Sequence, residues 1–172
     1  VFDISQTNGV DLPTMHEVGG DPGESLDLLA AFLKLKGIQL VYNEKIAPAL
    51  GMSYGGRIAI LPGQSKAEEF STLVHETAHE LLHKAERRTA TTKTVRELEA
   101  EAVAFVVGKA VGLLTGTASA DYIQLYQGNA SLLAESLEVI QQTSSIILAA
   151  LEPVVQEEES ANTEAGLAEV AA

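Results

Sequence analysis

The run from Ser65 to His83 constrains this chain more than any other. Neither proline nor glycine interrupts residues 65–84, and Leu73, Val74, Ala78, Leu81 and Leu82 supply an apolar helical surface. Ser65 followed by Glu68 predicts a capping box at the helix start. Positions four apart share a helix face, so His75 and His79 project together with Glu76 beside them. Three of the four histidines of the chain, at 75, 79 and 83, fall in this one segment. An ordinary buried helix gives no reason for that clustering.

Two imidazoles one turn apart can hold one metal ion, and a carboxylate next to them can take a proton from water activated there. His-Glu-x-x-His on a helix is the pattern zinc metallopeptidases use for this, which gives Glu76 the role of general base. Catalytic zinc normally takes three protein ligands, and with no cysteine in the chain the third must be a histidine or a carboxylate. His83 is two turns beyond His75, about 12 Å away by helical rise, too far for all three rings to meet at one ion. It is expected to support a ligand, to line the pocket, or to place a charge at the helix end.

A later helix offers Glu97, Glu99 and Glu101. Glu97 and Glu101 share a face, so one can ligate while the other holds a histidine ring nitrogen; Glu99 points elsewhere. Glu101 adjoins the apolar run from Ala102 to Val107 and is ranked first as the third ligand, with Glu97 as the alternative. His83, Tyr54, Tyr122 and Tyr126 are candidates for the pocket or for a donor to the tetrahedral oxyanion.

The net charge of −13 leaves no general basic surface for nucleic acid. The one basic cluster, Lys84, Arg87, Arg88, Lys93 and Arg96, is a small feature on an acidic chain. No apolar run approaches the length of a membrane span and no secretory leader is evident, so a cytoplasmic location is expected. Val1 in place of methionine predicts a processed chain or a piece of a longer one. A hydrophobic content of 46% over 172 residues suits one domain, expected over residues 1–151, with a glutamate-rich, disordered tail over 152–172.

Along the chain, residues 2–7 predict a short strand, and Asp21-Pro22 starts a helix that runs to about residue 36. Strands are predicted at 38–42 and 57–61, with an irregular segment between them. The second of these, leading into the motif helix, is a candidate for pairing with an extended substrate. Residues 85–94 read as a linker of few core positions, residues 95–114 as a long helix in which Gly108 and Gly112 let another helix approach, and residues 129–151 as a last helix. The fold class is α+β, with a small N-terminal sheet packed on the motif helix and a mostly helical second half.

His75-Glu76-Thr77-Ala78-His79 with His83, followed by Glu101-Ala102-Val103-Ala104-Phe105, resembles the ImmA/IrrE-type zincins. The segments Phe2–Thr7, Gly55–Ile58, Arg96–Phe105 and Asp121–Tyr126 extend the resemblance to the metallopeptidase domain of ArdC-like antirestriction proteins. The resemblance implies a zincin-like fold, Zn²⁺ as cofactor, Glu101 as third ligand and a narrow regulatory protein or peptide substrate. The single-stranded-DNA-binding domain of ArdC-like proteins has no counterpart in these residues, and DNA binding is not carried over. Two readings follow: a zinc metallo-endopeptidase, or a zinc-stabilised regulatory or interaction module that makes no use of Glu76.

Overall fold

Helix α1 (Ser25–Leu35) buries Leu29, Phe32 and Leu33 and ends at Gly37, whose φ of +72° is open to glycine at little cost. The amide of Gly37 donates to the Lys34 carbonyl and that of Ile38 to the Leu33 carbonyl, the paired bonds of a Schellman stop. The helix starts three residues later than residue 22. Asp21 does not cap it; its Oδ1 accepts from the Gly23 amide at 2.9 Å and closes a turn ahead of the first helical residue. The computed structural model describes residues 18–115 and 130–152. The predicted strand at 2–7, His16, Tyr122, Tyr126 and the residues from 153 onward lie outside these.

Three strands follow α1: β1 (Gln39–Tyr42), β2 (Gly51–Ser53) and β3 (Arg57–Ile60), in the order β1-β3-β2. β3 pairs parallel with β1 and antiparallel with β2. The strand predicted to receive a substrate, β3, is therefore the central one, and both of its edges are taken. The outer strands are β1 and β2, and β2 lies in the segment read from sequence as irregular. Three residues carrying one glycine give too short a period-two signal to find it. Gly55 and Gly56, with φ of +74° and +98°, form the two-residue turn between β2 and β3.

Helix α2 (Lys66–Leu82) begins with the predicted capping box: Ser65 Oγ accepts from the Glu68 amide, and the Glu68 carboxylate accepts from the Ser65 amide. Phe70, Leu73, Val74 and Ala78 bury its apolar face. The residues expected to form a linker instead make helix α3 (Ala85–Ala90), and α4 (Lys93–Ala110) follows with Thr92 as its cap. Ala100 and Ala104 on α4 are buried in the same cluster as Val74 and Ala78, and such small side chains allow close approach of helix axes. Gly112 has a different part from the one its spacing predicts. Its φ is +86° and a Cβ at this position would meet nothing within 4 Å, so it ends α4 in a second Schellman stop rather than admitting a neighbouring helix.

Helix α5 (Ala130–Leu151) adds Ile140, Ile147 and Leu151 to the core. The result is a small mixed sheet packed on a helical core whose central element carries the His75-Glu76-x-x-His79 motif. No helix among the described residues is long and apolar enough to cross a membrane.

Candidate metal centre

Within α2, His75 and His79 turn their rings toward α4. Their Nε2 atoms are 3.1 Å apart, and Glu97 Oε2, from the first turns of α4, is 3.6 Å from each. Zinc bonds to nitrogen and carboxylate oxygen of about 2.0–2.2 Å in tetrahedral geometry place neighbouring donors about 3.3–3.6 Å apart. The triangle of His75, His79 and Glu97 comes within about 0.2 Å of those dimensions, so this cluster is capable of coordinating a metal ion.

Glu101, one turn further along α4, does not join the triangle. Its Oε2 is 3.1 Å from His75 Nδ1, the ring nitrogen opposite the one that faces His79 and Glu97. In position, Glu97 faces the two Nε2 atoms and Glu101 faces the outer ring nitrogen of His75. Depth does not separate them, since the Glu97 and Glu101 side chains are 50% and 42% exposed. The deep carboxylate on this helix is Glu99, whose side chain is fully buried.

Glu99 leads to the other histidine of the triangle, His79. His83 is the C-cap of α2, with backbone φ and ψ of −97° and 46° that carry the chain out of the helix. Its Nε2 lies 3.0 Å from Glu99 Oε2, and its Nδ1 lies 2.8 Å from His79 Nδ1. Glu99 also accepts from the Arg87 guanidinium on α3 and from Ser136 Oγ on α5. Burial by itself would raise the Glu99 carboxyl, but the hydrogen bonds from His83, Arg87 and Ser136 hold it below the usual carboxylate range. Burial also lowers His83 and favours its neutral form.

With Glu99 ionised and His83 neutral, a consistent set of proton positions follows. An ionised carboxylate only accepts, so His83 Nε2–H donates to Glu99. A neutral imidazole has one donor and one acceptor, so His83 Nδ1 accepts from His79 Nδ1–H. His79 Nε2 is then the ring nitrogen that faces the triangle, where its lone pair would meet a metal ion. His75 Nδ1–H donates to Glu101 in the same way, and its Nε2 faces the same point. Each ligand ring is thus set by a carboxylate, one directly and one through His83.

The electrostatics suit a cation. Burial pulls the His75 imidazole down, yet the Glu101 and Glu97 carboxylates outweigh it and push it up to about 9. The facing His75 and His79 rings hold the Glu97 carboxyl far below its ordinary range. A metal held in the triangle would take the place of the His75 Nε2 proton, so binding would release protons.

Glu76 is buried, and burial raises its pKa above the ordinary value. It lies between the triangle and β2. The Ser53 amide donates to its carboxylate, and a Cβ on Gly51 would come within 2.8 Å of Glu76 Cγ and 2.6 Å of Thr72 Cγ2. Glycine at 51 is what lets β2 lie this close to the motif helix. One turn on, Glu80 accepts from the amides of Gly55 and Gly56 at 2.8 and 2.7 Å, tying the β2–β3 turn to α2.

Of the remaining candidates, His83 has both ring nitrogens engaged, which leaves no free donor for an oxyanion. It does line a cleft of about 680 Å³ together with His79 and Tyr54. Tyr54 stands in the cleft wall with its ring under the Arg57 guanidinium, 4.9 Å from the centroid. Arg87, Glu80 and the second use of Glu99 were not foreseen. Only Glu80 had a readable signal, as a carboxylate four residues after Glu76 on the same face.

No family model matches the chain, and no curated protein or solved structure matches it either.

Proposed function

We propose that this chain is a zinc-dependent metallo-endopeptidase domain, with His75, His79 and Glu97 as the metal ligands and Glu76 as general base. The observation that carries the reading is the triangle of donors at 3.1, 3.6 and 3.6 Å with the buried Glu76 carboxylate beside it. A purely structural metal site has no use for a fourth, basic carboxylate held next to the ligands. Zinc held there supplies Lewis acidity toward water and the scissile carbonyl. Glu76 takes a proton from the attacking water and passes it to the leaving amine. Its raised pKa suits both halves of that transfer.

The free edge of β2 fits an extended peptide. Tyr54 donates to Arg57 and Leu61 to Leu50, so by antiparallel alternation Leu50, Met52 and Tyr54 bond to β3 while the backbone groups of Gly51 and Ser53 face away from it. A substrate laid along that edge would pass over Glu76. Membership of the ImmA/IrrE-type zincins is proposed on the residue pattern alone. That pattern gives the third ligand place to Glu101, whereas the ring-nitrogen contacts favour Glu97.

The test is metal dependence. The purified protein is expected to hold close to one zinc per chain and to hydrolyse unstructured polypeptide. A chelator should abolish turnover, and stoichiometric zinc should restore it. Failure to bind zinc at micromolar concentration would end this reading.

A further inference from the structure

The basic cluster that stands out in the sequence does not stay together in the fold. Arg87 is consumed by Glu99 and Glu135. The Arg96 guanidinium donates to the backbone carbonyls of Arg88 and Thr91. Of the remaining Lys84, Arg88 and Lys93, the first two line the cleft that borders the metal triangle. Lys36, from the turn after α1, is the third cation on its wall. All three are exposed, and none has a carboxylate within ion-pair distance among the described residues. The one carboxylate lining the cleft, Glu80, is already satisfied by the Gly55 and Gly56 amides.

Three of the eleven basic residues of a chain with net charge −13 therefore gather on one concave surface. His79 belongs to both places: its Nε2 faces the triangle, and its ring lines the cleft. Whatever occupies the cleft is adjacent to the reacting bond.

We propose that this cleft binds a carboxylate of the peptide substrate beside the scissile bond, so that the site selects substrates with an acidic group on that side. The inference rests on the peptidase reading and adds a specificity to it. An acidic body repels acidic peptides in general, so recognition must come from this local reversal of sign. The cations are exposed and act through solvent. The preference is therefore of moderate size and weakens with ionic strength. A side-chain carboxylate and a free C-terminus share this chemistry.

Binding of fluorescein-labelled octapeptides of alanine and serine tests this with the full-chain Glu76→Gln variant in the presence of zinc. Glu, Gln or Lys is placed at each position in turn, with free and amidated C-termini. At one position Glu should bind about tenfold tighter than Gln in low salt, and Lys should bind weaker than both. The Lys84→Gln/Arg88→Gln double variant should reduce that preference to under about twofold. A preference abolished by amidation assigns the carboxylate to the C-terminus, and one that survives assigns it to a side chain. Equal binding of Glu and Gln peptides at every position, a preference unchanged in the double variant, or no peptide binding at all would overturn the proposal. Zinc binding and hydrolysis by the unsubstituted chain report separately on the peptidase reading. A carboxylate preference without hydrolysis would leave the cleft in place and remove the enzyme.

Discussion

Glu76→Gln is expected to abolish peptide hydrolysis, by about 10²- to 10⁴-fold or to the detection limit, while leaving zinc content unchanged. The substitution keeps the shape of the side chain and an oxygen to accept from the Ser53 amide, so β2 keeps its place over α2. It removes only the basicity. Since Glu76 is not one of the three donors in the triangle, metal affinity should stay within a few-fold of the original. Circular dichroism and a zinc titration beside the kinetic assay separate loss of the base from loss of the fold. Unchanged hydrolysis in Glu76→Gln would remove the proposed chemistry and favour a zinc-stabilised interaction module.

The second large effect is on stability. Arg87→Ala leaves the Glu99 carboxylate buried without its cation, and removing one partner of a buried pair typically costs about 3–5 kcal/mol. For a chain of this size that corresponds to a fall in melting temperature of roughly 10 °C. The expected pH dependence follows from the lowered folded pKa of Glu99. A carboxylate of this kind contributes stability that is complete above its unfolded pKa and is lost as pH falls toward the folded value. Without Arg87 the folded value rises, so acid unfolding should begin at higher pH in the variant. Zinc affinity should also fall, by up to about 10-fold, because Glu99 is held less firmly as the ionised acceptor of His83, which sets the proton on His79. A stability loss below about 1 kcal/mol would show that His83 and Ser136 suffice to hold the charge.

These two effects come from residues that differ in how visibly they stand in the sequence. The motif helix, its capping box and the roles open to Glu76 follow from spacing, because helical period and cap chemistry are local. The pairing of α2 with α4 is nonlocal. Spacing showed that Glu97 and Glu101 share a face, but not which lies opposite the Nε2 atoms and which reaches Nδ1. That depends on the axial offset of two helices, which is set by the packing of the core cluster that holds Val74 and Ala78 of α2 with Ala100 and Ala104 of α4. The apolar run after Glu101 suggested depth at that position, whereas the packing buries Glu99. A carboxylate so deep is tolerable only because Arg87, His83 and Ser136 arrive from three other helices, and no single segment records that convergence. Strand β2 escaped for a different reason. It is three residues long, and its position depends on the missing side chain at Gly51.

On the proposed reading, α4 supplies the third ligand from Glu97 and the ring-nitrogen partner from Glu101. Zinc affinities of the unsubstituted chain, Glu101→Ala and Glu97→Ala, measured side by side by competition with a chromophoric chelator, test it most directly. Loss of the partner on His75 Nδ1 should weaken binding by about 10- to 100-fold, the usual cost of an outer hydrogen bond to a metal-bound histidine. Loss of Glu97 should weaken it well beyond that range, because a donor itself is removed. Zinc binding that survives Glu97→Ala at its original strength, with the large loss falling on Glu101→Ala, would place the third ligand at Glu101 instead.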